Sequence, residues 1–269
     1  MRLIRLIPAL LLMCSFLVVL SCGRGKEITP NQSPQDSANY KIKEITIEGL
    51  PSPYLRFLYH AEGLIHEIKQ ESNLYQYQLQ YENHKLISMI NKANLDFDSL
   101  KYQYEGDRVV KIYRSTVSSG KIEEINLLYD VSGRLVELDW LNMATGKVFK
   151  KLVIQYGMDN NMHQYEEYYH HADTLLKTAT HIFSGFDKNV NVTANLIIRD
   201  IHYLHLPGIR LQRNNPSEEL VLGVNRDMQI KFSYEYQGQL PVSKLSKMKI
   251  TRGDGLGLEL NNYTRITYY

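Results

Sequence analysis

From Lys41 onward, apolar and polar residues alternate along most of the chain. Tyr75, Tyr77, Leu79 and Tyr81 fall on one face of an extended segment, and Gln76, Gln78 and Gln80 on the other. Ile125, Leu127 and Tyr129 repeat the pattern, as do Leu152, Ile154 and Tyr156, and Ile230, Phe232, Tyr234 and Tyr236. Side chains two apart share a strand face, so this period predicts half-buried antiparallel strands. Breaks of a few residues, many carrying Gly, predict hairpins.

The strands also repeat at a longer interval. Tyr59, Tyr81, Tyr104, Tyr129 and Tyr156 each end an alternating run, at successive steps of 22, 23, 25 and 27 residues, and Tyr236 ends a later one. The unit is clearest from Leu100 to Trp140. There, Tyr104-Glu105-Gly106-Asp107-Arg108-Val109 and Tyr129-Asp130-Val131-Ser132-Gly133-Arg134-Leu135 place a turn and an Arg between strand-ending Tyr and the next apolar run. Such short turns reverse the chain, which favours sequential hairpins over a parallel solenoid.

Taken in order, Lys41–Gly49 reads as a strand, followed by hairpins around residues 61–63, 82–84, 105–107, 130–133 and 157–161. Asp173–Ser184 reads as one more strand pair. Then the period changes: Leu196, Ile197, Ile201 and Leu204 fall at helical spacing behind Thr193, and Pro207-Gly208 ends the run. This predicts a helix of about three turns within Asn191–His205. Leu206–Glu218 reads as loop, and strands resume at Leu220. The expected fold is all-β: a large, curved, up-and-down antiparallel sheet of about a dozen strands, open but barrel-like, with that helix across one face.

Composition agrees with a strand-rich chain. Among 269 residues there are 20 Tyr, 7 Phe and 1 Trp. The first 21 residues read as an export signal: Arg2 and Arg5 precede an apolar run from Leu6 to Leu20, too short to span a bilayer comfortably. The run ends Val19-Leu20-Ser21-Cys22, a lipoprotein-type junction, so Cys22 is the expected lipid attachment site. Removing residues 1–21 deletes two arginines and takes the formal charge from +2 to 0, leaving no basic field for nucleic acid. It also deletes Cys14, so no internal disulfide is expected. Residues 22–40, polar with Pro30 and Pro34, read as a flexible tether to a domain over residues 41–269.

The hairpins resemble the YD-type repeats of secreted bacterial proteins. More closely, the chain over about residues 55–269 resembles the Bacteroidota lipoproteins built from such hairpins. The resemblance rests on the lipoprotein-like start and on three further stretches: Phe186-Asp187-Lys188-Asn189 with the helix expected after it; Asn214-Asn215-Pro216; and Tyr234-Glu235-Tyr236-Gln237-Gly238-Gln239-Leu240-Pro241. It implies an architecture and an exported, lipid-anchored protein of the outer membrane, and it implies no activity.

Candidate chemistry is sparse. His202 and His205 with Asp200, and His163, His170 and His171, lack the four-ligand spacing of a zinc site. Asp96 and Asp98 have no calcium-type loop around them. Ser246-x-x-Lys249 lies on an alternating run, and Arg252-Gly253-Asp254 reads first as a turn. No catalytic residue, metal or cofactor is therefore expected. The tyrosine face is the broadest signal: Tyr75, Tyr77, Tyr81, Tyr104 and Tyr129 are the candidate surface for a glycan or protein partner, against a plainer role in cross-strand packing. The expected function is a lipid-anchored envelope protein that binds or scaffolds. Its rivals are a carrier of an apolar ligand held between sheet and helix, and a hydrolase whose site the sequence does not spell out.

Overall fold

The computed structural model describes residues 40–71, 75–93, 98–171, 174–193 and 204–269. Sixteen strands follow one another: β1 Ile42–Ile47, β2 Leu55–Tyr59, β3 Ile65–Lys69, β4 Gln76–Glu82, β5 Lys85–Asn91, β6 Ser99–Glu105, β7 Arg108–Thr116 and β8 Gly120–Tyr129. The second half continues with β9 Leu135–Asn142, β10 Lys147–Tyr156, β11 Met162–His171, β12 Thr174–Ser184, β13 Glu218–Gly223, β14 Arg226–Gln237, β15 Leu240–Gly253 and β16 Glu259–Tyr268. Each pairs antiparallel with its sequence neighbour, and β1 pairs with β16, Ile45 opposite Ile266.

The sheet is thus a closed barrel, which corrects the expected open sheet of about a dozen strands. Closure pairs both edge strands and leaves no free sheet edge. No helix occurs among the described residues. Most of the segment expected to be helical, including Ile197 and Ile201, lies outside them; Thr193 before it and Leu204 after it are not helical. Residues 174–184 form the single strand β12 rather than a pair.

The hairpins have the expected register. Tyr104 lies opposite Val109 and Tyr129 opposite Leu135, with a register shift before each tyrosine. That shift is a bulge, which bends a strand and sharpens its twist, as a closed sheet requires. Turns β2–β3, β4–β5, β6–β7, β8–β9, β10–β11 and β14–β15 lie at one end with the start of β1, the end of β16 and the β12–β13 connection. We call it the tyrosine end; the other end is the mouth.

Inward residues are the apolar ones. Leu79, Met89, Leu100, Ile112, Ile125, Leu138, Leu152 and Ile154 are all buried and belong to one core. A barrel of this strand number is wide enough to leave an aqueous channel. Here it is filled, partly by Leu204, Leu206 and Leu211 of the β12–β13 connection, which join the same core. Many outward residues are polar: Gln78, Gln80, Lys101, Gln103, Lys231, Glu235, Lys247 and Arg265 are exposed, among scattered apolar ones such as Ile87 and Leu128. Ion pairs link neighbouring strands across this surface: Arg56–Glu44 at 3.0 Å, Lys111–Glu124 at 2.8 Å, Lys151–Glu137 at 2.9 Å and Lys249–Glu259 at 2.9 Å. Barrels that span bilayers carry an apolar outer band around a polar lumen. This one has the reverse polarity.

Candidate functional site

The five tyrosines singled out by the sequence all lie on β4, β6 and β8 or just before β4. Tyr77 is fully buried and donates to Asp98 Oδ2 at 3.2 Å; burial, then the Asp98 charge, pushes its phenol well above the usual range. Tyr75 stacks on it at 5.8 Å. Tyr81, Tyr104 and Tyr129 are half-buried against the core. Burial raises Tyr81 and Tyr129 to about 12.

Two of these hydroxyls are latches between repeats. Tyr104 donates to the Leu86 carbonyl at 3.0 Å, and Leu86 is the residue opposite Tyr81. Tyr129 donates to the Val109 carbonyl at 2.6 Å, and Val109 is opposite Tyr104. The basic residue after each turn then covers the next repeat's ring: Lys85 over Tyr104 at 5.6 Å, Arg108 over Tyr129 at 5.8 Å, Arg134 over Tyr156 at 4.9 Å. The repeat motif therefore encodes how one hairpin grips its neighbour.

The β12–β13 connection closes the tyrosine end through side-chain amides. Asn161 Oδ1 accepts from the Arg213 and Asn214 amides at 2.7 and 3.0 Å, and Gln212 donates to the Met162 carbonyl at 3.1 Å. Asp187 accepts from the Asn215 amide at 3.1 Å and from the Tyr236 hydroxyl. The three stretches quoted for the family resemblance thus meet at one cluster. Tyr102 donates to the His205 carbonyl at 2.9 Å, and burial lowers the His205 imidazole to about 4.

At the mouth the inner wall changes character. A cavity of about 820 Å³, open to solvent, lies among β11–β14. Glu167, Tyr169, His181, Val221 and Met228 line it from the strands, and Leu176, Val224 and Arg226 line its margin. Behind it Glu219 Oε1 meets His181 Nδ1 at 2.7 Å, while His181 Nε2 lies 4.0 Å from Glu167 Oε2. Tyr165 stacks on the imidazole at 4.2 Å. Lys150, buried next to this group, lies over Trp140 at 4.7 Å and Tyr169 at 5.6 Å. Farther round the wall, Arg114 pairs with Glu123 at 2.6 Å. The rim exposes Leu176, Leu222, Val224, Leu256, Leu258 and Leu260.

The sequence reading missed this site, because its members come from the three separate strands β11, β12 and β13. The other candidates separate. His163 pairs with Asp159 at 3.0 Å, away from the mouth, whereas His170 and His171 line the cavity. Asp98 holds Tyr77, and Arg252 is bound to Asp227 at 2.7 Å. Asp96, Asp200 and His202 lie outside the described residues. Among the described residues no group of three or more His, Cys, Asp or Glu is placed to hold a metal ion.

A closed, sixteen-stranded antiparallel barrel with an apolar core and a solvent-open cavity at one end is the class these features define. Comparison with known proteins adds the fold's relatives. A porin-like protein from Bacteroides uniformis superposes with a TM-score of 0.55 at 10% identity, over 80% of this chain and 89% of that one. A porin-like protein from Bacteroides vulgatus gives 0.55 at 14% identity, over 85% and 98%. At such identities the likeness is one of fold. No protein-family model matches the sequence. No curated protein matches it either.

Proposed function

We propose that the protein is a lipid-anchored, non-catalytic binding module of the outer membrane, held by Cys22 and meeting its ligand or partner at the mouth. The observation that carries this reading is the barrel's polarity, with ion-paired strands facing outward and apolar side chains filling the interior. Such a surface is costly to place in hydrocarbon, and such an interior leaves solutes no path through the apolar half. The porin-like neighbours are consistent with an outer-membrane protein, and an acyl anchor reconciles that location with a surface made for water.

The mouth is the binding end for two reasons. It holds the solvent-open cavity, and its rim exposes a group of leucines around that cavity. The described chain enters the barrel at Tyr40, at the opposite end. Cys22→Ala is expected to abolish incorporation of labelled fatty acid and to leave the precursor unprocessed, while the barrel still folds. Normal labelling of that variant would overturn the anchor.

A further inference from the structure

The reading of the mouth as a binding site can be taken one step further, to the class of ligand. We propose that the cavity among β11–β14 takes a small primary amine with an apolar body, its ammonium group seated between His181 and Glu167.

His181 is fixed by its neighbours. Glu219 holds Nδ1 at 2.7 Å and Tyr165 lies flat on the ring at 4.2 Å, so Nε2 is directed toward Glu167. In the neutral tautomer whose Nδ1–H donates to Glu219, Nε2 carries a lone pair and is an acceptor. Glu167 Oε2 is also an acceptor, and at 4.0 Å it is too far from Nε2 for a hydrogen bond between them. Its side chain is only 16% exposed, and that exposure is to the cavity. Two acceptors at this separation call for one group that donates to both. A nitrogen about 2.8 Å from each has donor directions about 90° apart, near the tetrahedral spread of ammonium protons. The positive charge answers Glu167 and Glu219 together. A hydroxyl has one proton and cannot satisfy both acceptors; a carboxylate brings a third negative charge.

The walls select the rest of the ligand. Val221 and Met228 line the cavity with Glu167 and His181, Tyr169 adds a ring to the lining, and Leu176 adds apolar surface at the margin. A cavity of about 820 Å³ falls within the size range of small-molecule sites, which combine apolar walls with a few placed polar groups.

The test compares three ligands of one shape by calorimetry on the full chain: 2-phenylethylamine, 2-phenylethanol and phenylacetate. The amine is expected to bind saturably at one site, at least tenfold more tightly than the alcohol, with the carboxylate weakest. Glu167→Gln keeps the shape and removes the charge, and should weaken the amine at least tenfold without affecting the alcohol. Ala179→Leu, which adds bulk to the lining and leaves the charges alone, should weaken both. Glu166→Gln, on the outer face, should change neither; Glu166 there pairs with Lys177 at 3.1 Å. Alcohol or carboxylate binding as tight as the amine's would overturn the amine class while leaving the mouth a binding site. An unchanged amine affinity in a folded Glu167→Gln variant would overturn the seat between His181 and Glu167. Failure of all three ligands to saturate would overturn this inference and weaken the binding role of the mouth, without touching the anchor at Cys22.

Discussion

Tyr129 shows what the repeat is for. Its ring packs on the core while its hydroxyl reaches back to Val109 in the previous hairpin, and Arg108 lies over its face. Tyr129→Phe keeps the ring and removes the latch. It should cost about 1 kcal/mol in equilibrium unfolding, the usual net value of one hydrogen bond. Gly133, in the turn after Tyr129, has φ +79°, and a Cβ there would come within 2.6 Å of the Arg108 guanidinium. Gly133→Ala should therefore destabilise through both backbone strain and displacement of that cation. The alternation made these tyrosines visible and gave their face. It could not distinguish a ring that stacks on a partner from one that latches the next hairpin, since both need an amphipathic aromatic residue at the same position. His205 adds a dependence on pH. Burial lowers it from 6.5 to about 4, so the unfolded chain binds more protons than the native one between those values. Native stability should fall as pH drops through that window, the His205 share amounting to about 2 kcal/mol at pH 5. Denaturant curves at pH 7 and pH 5 check this, and the difference between them should shrink by that amount in His205→Leu.

Single elements were legible where their signals were local. Gly106-Asp107 and Gly133-Arg134 fixed turns, and the pairing of Tyr104 with Val109 follows from a short reversal between alternating runs. In the structure Ile112 is buried and Lys101 exposed. Ile112→Ala should cost about 2–5 kcal/mol, whereas Lys101→Ala should stay within about 0.5 kcal/mol, both read from denaturant midpoints. The β12–β13 connection was harder. Of its apolar residues at helical spacing only Leu204 is described, and it joins the core with Leu206 and Leu211 at irregular intervals. Its anchors are non-local: Asp187, Asn215 and Tyr236 meet across 49 positions of sequence. Replacing Asp187 by Leu removes a charged acceptor from that cluster. The variant should lose about 2–3 kcal/mol and should expose the tyrosine end to amide hydrogen exchange before the hairpins open.

At the scale of the whole molecule, closure was invisible in the sequence. The β1–β16 seam joins Ile45 to Ile266, and a strand at either edge of an open sheet would show the same alternation. The acid–histidine group at the mouth was hidden for the same reason, because Glu167, His181 and Glu219 converge only when β11, β12 and β13 lie side by side. What the alternation did encode is polarity, and on the proposed function polarity is what distinguishes this barrel from one that spans a bilayer. Apolar residues point inward to a filled core, and charged residues point outward in pairs. The most direct test of that claim is sedimentation velocity on the lipid-free Cys22→Ser chain in detergent-free buffer. The account predicts a folded β-protein that sediments as a compact, discrete species. Aggregation that only detergent relieves would contradict it, since a barrel with a lipid-facing surface behaves that way.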